Sequence, residues 1–177
     1  MKLIATDLPD VKLIELEPHE DDRGFFARAF CSKELADAGS PFEIVQANLS
    51  FNYKRGTLRG MHYQQGPIGD PKIVRCISGG VYDVVVDLRP NSPAFCKWTA
   101  AELTAQNRRA FLVPAGCAHG FLTLSNDTEL LYMMGAPFVA DLAGGVRWND
   151  PAFGIKWPFA PDIINERDAS YPDFRPD

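Results

Sequence analysis

Short stretches rich in Val, Ile, Phe and Tyr recur along the chain, each closed by turn residues, and this punctuation constrains the fold more than any other feature. The stretches are Val11–Leu16, Phe25–Phe30, Glu43–Phe51, Thr57–Gln64, Lys72–Ser78, Val81–Leu88, Cys96–Leu103, Arg109–Pro114, Gly120–Ser125 and Glu129–Met134. Ser78-Gly79-Gly80 reads as a hairpin turn, and Pro90-Asn91-Ser92-Pro93 and Pro114-Ala115-Gly116 as further turns. One early helix is expected, with Ser32 as N-cap and Gly39 as its C-terminal stop. Many short strands in a chain of 177 residues predict a single all-β domain over 1–177, and their number favours a double-sheet jelly roll. The Pro- and Asp-rich tail from Trp148 is expected to wrap over the body.

Composition excludes several functions. A formal net charge of −5 repels nucleic acid phosphates at long range, although a few converging arginines can still bind one phosphate locally. Cys31, Cys76, Cys96 and Cys117 are widely spaced, which argues against a zinc ribbon or redox pair and fits a reducing compartment. No apolar run suits a signal peptide or a membrane span, so a cytoplasmic protein is expected.

The residues able to do chemistry are few. His19, His62 and His119 are the histidines, and no His-x-His pair with a nearby carboxylate marks a metal site; three dispersed ligands remain the metal alternative. Taken singly, His62 reads as a hydrogen-bonded core histidine, Tyr132 as a core aromatic, and Arg23, Arg59, Lys72 and Asp168 as surface charges. In "VYDVVVDL" the face carrying Tyr82, Val84, Val86 and Leu88 reads as the stronger core face, which assigns Asp83 and Asp87 to solvent or a sheet edge.

Together these residues sit in segments whose order and spacing, over nearly the whole chain, resemble the dTDP-4-dehydrorhamnose 3,5-epimerase family. The segments are "DDRGFFARAF", "VQANLS", "GTLRGMHYQ", "PKIVRCISGGVYDVVVDLR", "VPAGCAHGFLTLS", "LLY", "GVRWNDPAFGIKWP" and "NERD". The resemblance implies a cupin-type jelly roll without metal or cofactor, forming homodimers that exchange an N-terminal segment. Its substrate would be a nucleotide-linked 4-keto-6-deoxyhexose. The ketone at carbon 4 acidifies the hydrogens at carbons 3 and 5, which lie axial on one face of the ring. One neutral imidazole on that face can reach both. By resemblance His62 is that base and Asp168 its partner. Lys72 matches the position that stabilises the enolate oxygen, and Tyr132 the donor that returns the proton from the opposite face. Arg23, Gln46, Asn48, Arg59 and His119 match substrate contacts, and Phe138 matches an aromatic that stacks on the nucleotide base, its ordinary alternative being core packing.

Arg59 and His62 are separated by an odd number of positions, so a regular strand would point them to opposite faces. If both serve one pocket the pairing must be irregular, and Gly60 is placed for a bulge. Other positions depart from the family pattern: Arg28 stands where a glutamate is usual, Met133 and Met134 follow Tyr132, and Gly135–Gly145 lacks the usual Asp-Tyr-Tyr and an acid near Ala143. These changes leave open a different nucleotide or inversion at only one carbon. A metal-dependent cupin enzyme and a non-catalytic sugar-nucleotide binding module are the remaining alternatives.

Overall fold

Val74, Cys76, Val85, Phe111 and Phe121 come from distant parts of the chain and meet in one buried cluster. The strands that carry them form two facing sheets in the computed structural model, which describes residues 1–66 and 69–176. In chain order the strands are β1 (Lys2–Ala5), β2 (Lys12–Glu15), β3 (His19–Asp21), β4 (Gly24–Phe26), β5 (Gln46–Asn52), β6 (Leu58–Gln64), β7 (Lys72–Ser78), β8 (Gly80–Asp87), β9 (Trp98–Thr104), β10 (Ala110–Val113), β11 (Cys117–Thr123), β12 (Thr128–Met134) and β13 (Ala143–Gly145). Two short helices, α1 (Ser32–Asp37) and α2 (Glu166–Ala169), complete the set with a 3-10 turn at Ala140–Leu142. One sheet has the order β1-β2-β10-β7-β12-β5 and the other β13-β6-β11-β8-β9; β3 and β4 form a separate hairpin. This is the double-sheet jelly roll expected of the sequence.

Each sheet is also covered over part of its outer face. Leu35 of α1 and Phe42 pack with Ile14, Ile73 and Leu112 outside the six-stranded sheet. Leu35 is completely buried, worth roughly 2–3 kcal/mol of apolar transfer. Outside the other sheet, Trp157 and Phe174 of the tail cover Met61, Val84 and Val86, so the tail does wrap over the body.

That second layer corrects the reading of β8. Val81 and Val85 face the core between the sheets, whereas Val84 and Val86 face the tail. Both faces are therefore apolar and buried, and Asp83 and Asp87 are fully buried rather than at solvent or an edge. Asp87 is held by Arg89 and Ser92. Asp83 is held by His119.

Two local expectations also change. Ser78-Gly79-Gly80 is not a hairpin: β7 pairs with β10 and β12, and β8 with β11 and β9, so the turn is a corner between sheets. Glycines announce that a chain turns, not which sheet it enters. The N-cap of α1 is Cys31 without a side-chain cap, and Ser32 is the first helical residue. Gly39 does end the helix, at φ 73°, with Ser40 N–H donating to Leu35 C=O and Gly39 N–H to Ala36 C=O. The short strands β1, β3 and β13 were not anticipated; none has the length or alternation that marks a strand in sequence.

The irregularity expected at Gly60 is present. On β11 the register advances from His119 to Phe121 while on β6 it passes from His62 to Arg59, so β6 carries one extra residue. Gly60 has φ 130°, and a Cβ there would lie 2.5 Å from Gly120 Cα. Only glycine combines that backbone conformation with that approach. Gly60→Ala is expected to destabilise the fold by at least about 3 kcal/mol, a fall in Tm of roughly 6–12 °C measurable by thermal melting.

Candidate active site

The extra residue in β6 turns Arg59 and His62 to the same side, while Met61 and Tyr63 pack outward under the tail. His62 pairs in register with His119 of β11, so the two imidazoles rise side by side from adjacent strands. Two adjoining cavities share His62, Asn48 and Met134. The inner one, about 270 Å3, is lined also by Arg59, Lys72, His119 and Tyr132. The outer one, about 380 Å3, is lined also by Gln46, Gln64, Asp70, Pro137, Phe138 and Arg167.

His62 Nε2 lies 2.7 Å from Asp168 Oδ1. Asp168 is fully buried and sits on α2, whose N-cap Asn165 accepts from the Asp168 N–H. Its other oxygen accepts the Gly60 N–H at 3.0 Å, so the bulge and the carboxylate hold each other. Burial pushes the Asp168 carboxyl up, but the bonds from His62 and Gly60, with the nearby Arg167, outweigh it and hold it below its ordinary range. An ionised carboxylate can only accept, which assigns the proton of this bond to Nε2 and leaves Nδ1 of a neutral His62 as a base. Arg167 lies against the pair, its guanidinium 3.2 Å from His62 Nε2 and 3.4 Å from Asp168 Oδ1.

Lys72 is almost fully buried and pairs with Asp70, not the surface cation its residue type suggests. Tyr132 packs edge-on against His119 at 5.9 Å between ring centroids. Burial first, and the charge of Asp83 second, raise its phenol well above 10, against a smaller opposing effect of Arg59. Arg59 Nε donates to Asn52 Oδ1 at 2.8 Å. Gln46 donates to Asn48, and its carbonyl oxygen accepts the Phe138 N–H at 3.2 Å. Phe138 is 66% exposed at the outer rim, which removes simple core packing as its role.

His62, Asp168, Lys72, Tyr132, Arg59, His119, Gln46, Asn48 and Phe138 are thus brought together. Arg23 is not: it sits in the turn of the β3–β4 hairpin, 89% exposed, paired with Asp21. His19 of the same hairpin lines a separate surface cavity with Arg28 and Glu34, so the histidines do not converge. Among the described residues no group of three or more His, Cys, Asp or Glu side chains is arranged to hold a metal ion. Arg28 pairs with Glu34. The departures Ala136, Ala143 and Gly144 line the outer cavity beside Pro137 and Phe138. Asp83, Asp70 and Arg167 were missed as site residues. For Asp83 a usable signal existed: an acid inside a strand apolar on both faces needs a partner.

A family model described as dTDP-4-dehydrorhamnose 3,5-epimerase matches residues 5–176. A dTDP-4-dehydrorhamnose 3,5-epimerase of Sinorhizobium fredii is 42% identical over 173 residues, covering 95% of this chain and 87% of that protein. The crystal structure of the enzyme of that name from Bacillus anthracis, with TDP and PPi bound, superposes with a TM-score of 0.94 at 40% identity, covering 98% of this chain and 99% of that one. A 3'-monoepimerase from Streptomyces bikiniensis, ChmJ, crystallised with dTDP-quinovose, is 31% identical with a TM-score of 0.89, covering 96% and 86%.

Asp168 has its carboxyl held low, so its contribution to stability is complete above the unfolded value near 4 and is lost as pH falls below it. Urea titrations at pH 7 and pH 3 are expected to show a smaller stability loss on acidification in Asp168→Asn than in the parent. Equal losses would mean that the carboxylate is not held by these partners.

Proposed function

The chain belongs to the dTDP-4-dehydrorhamnose 3,5-epimerase family, and from that premise we propose how its own residues invert a nucleotide-linked 4-keto-6-deoxyhexose of the dTDP-4-dehydro-6-deoxyglucose type. The reaction is isomerisation by proton transfer through an enolate. The observation that carries the assignment of the base is the 2.7 Å contact between His62 Nε2 and the buried Asp168, at the junction of both cavities.

The ketone at carbon 4 makes the flanking carbon–hydrogen bonds acidic. Nδ1 of His62 takes the proton at carbon 3 or carbon 5, and Asp168 stabilises the imidazolium that forms. Charge moves to the carbon 4 oxygen. Lys72, buried in the inner cavity, offsets it there. The phenol of Tyr132, kept protonated by burial and by Asp83, returns a proton from the other face and completes the inversion. Arg59 and His119 contact the sugar and phosphates, and the outer cavity, with Gln46, Asn48 and the rim aromatic Phe138, holds the nucleotide. A second reading, inversion at one carbon only, is favoured by the likeness to a monoepimerase and by the apolar lining at Ala136, Ala143 and Gly144.

The enzyme acts as a homodimer in the cytoplasm. The outer face of the edge strand β5 leaves Leu49 at 63% and Phe51 at 43% exposure. The β3–β4 hairpin exposes Phe26 beside Arg23, so a second copy is the natural cover and Arg23 serves the site of the partner. The cysteines Cys31, Cys76, Cys96 and Cys117 are free, and no described helix is long and apolar enough to cross a membrane.

Incubation of the substrate with enzyme in deuterium oxide is expected to wash deuterium into carbons 3 and 5; label at one carbon alone would establish the second reading. His62→Ala is expected to abolish exchange at both carbons with the fold retained, since Gly60 still donates to Asp168. Exchange surviving at either carbon would rule out a shared base. Tyr132→Phe is expected to lower net inversion about 10²-fold while exchange falls less. Sedimentation is expected to give a dimer that Leu49→Asp weakens; a monomeric parent would remove the partner role of Arg23.

A further inference from the structure

The mechanism above leaves one buried titratable group unused. Asp83 is fully buried in β8, and one of its oxygens lies 2.8 Å from His119 Nε2. Its other oxygen, Oδ2, has no hydrogen-bond partner among the described residues. A buried acid with half its bonding capacity idle is costly and persists only where something offsets the cost. The bond to His119 does not follow from the ladder, because Asp83 faces Phe121 and His119 faces Val85; the contact is a diagonal one across the inner face. Around it stand Lys72, from β7, and Tyr132, from β12.

We propose that Asp83 is a positioning residue for the epimerisation: it accepts the Nε2–H of His119 and fixes that ring, so that Nδ1, left as an acceptor, is presented to the inner cavity to take a hydrogen bond from a sugar hydroxyl and hold the sugar against Lys72 and Tyr132. The site then contains two carboxylate–imidazole pairs on neighbouring strands, His62–Asp168 and His119–Asp83, matched through the register of His62 with His119. The first is bound at the rim by α2 and takes protons. The second is sunk in the core between the sheets and does not exchange its partner. The same carboxylate adds to burial in keeping the phenol of Tyr132 protonated, so it acts on two neighbours that line the inner cavity. His119 is 4% exposed and confined by Tyr132, so packing limits where the ring lies, but only the bond to Asp83 decides which ring nitrogen carries the proton and which faces the cavity.

This inference rests on the epimerase reading, and the experiment separates the two. Parent enzyme, Asp83→Asn, His119→Ala and the double variant are compared on dTDP-4-dehydro-6-deoxyglucose in deuterium oxide. Absence of wash-in by the parent overturns the epimerase reading and this inference with it. With an active parent, Asp83→Asn is expected to lower kcat for exchange and inversion about 10²-fold, with KM changed less than about twofold, because the ring is misdirected rather than lost. Adding Asp83→Asn to His119→Ala is expected to cost less than about twofold more, because the two residues act as one unit. Unchanged kcat in Asp83→Asn, or losses that multiply in the double variant, would overturn the assignment. Should Asp83→Asn fail to fold, His119→Ala decides alone: a roughly 10²-fold loss of kcat supports the inference, and a kcat near that of the parent leaves Asp83 nothing to act through and overturns it.

Discussion

The extra residue in β6 at Gly60 is the constraint on which the rest of the site depends. A strand that obeyed its alternation would put Arg59 and His62 on opposite faces. The slip against β11 puts both toward one cavity and sends Met61 outward into the cluster beneath the tail. It needs a residue without a side chain, because the Gly60 backbone runs against Gly120. It also frees the Gly60 N–H to donate to Asp168, so the same irregularity that aims the imidazole anchors its carboxylate. The Gly60–Met61 peptide is cis.

Around that kink, charge is distributed by depth. Asp168 is buried but bonded by His62 and a backbone N–H, with Arg167 alongside, and stays ionised. Asp83 is deeper and has fewer donors, and burial pushes its carboxyl upward against the pull of His119 and Lys72. Two imidazoles of the same residue type, adjacent in register, thereby meet different partners. One faces a cavity mouth where a proton can come and go. The other, almost fully buried against Tyr132, reaches the same cavity with its Nε2 bonded to Asp83. On the proposed mechanism this division between like groups by environment lets one fold supply both a base and a fixed contact for the sugar.

Much of this was legible in the residues. The jelly roll follows from strand punctuation, and the irregularity at Gly60 follows from parity once Arg59 and His62 are required to share a pocket. What escaped was decided by layers rather than by local pattern. Asp83 and Asp87 alternate with valines as surface acids do, and only the tail, packed over Val84 and Val86, makes β8 a two-sided interior strand. Ser78-Gly79-Gly80 is a turn in either reading, but the partners of its flanking strands lie far away in sequence. Arg167 is an unremarkable residue beside Asp168 until a one-turn helix lays its guanidinium on His62.

The bond from His62 to Asp168 spans 106 residues, and the carboxylate rides on a helix of four. The four-residue helix makes few contacts of its own beyond this bond and the Asn165 cap, so its fraying alone would leave the imidazole in a formed pocket with no carboxylate to fix its tautomer. The order of the site is thus tied to the local stability of one helical turn rather than to that of the two sheets.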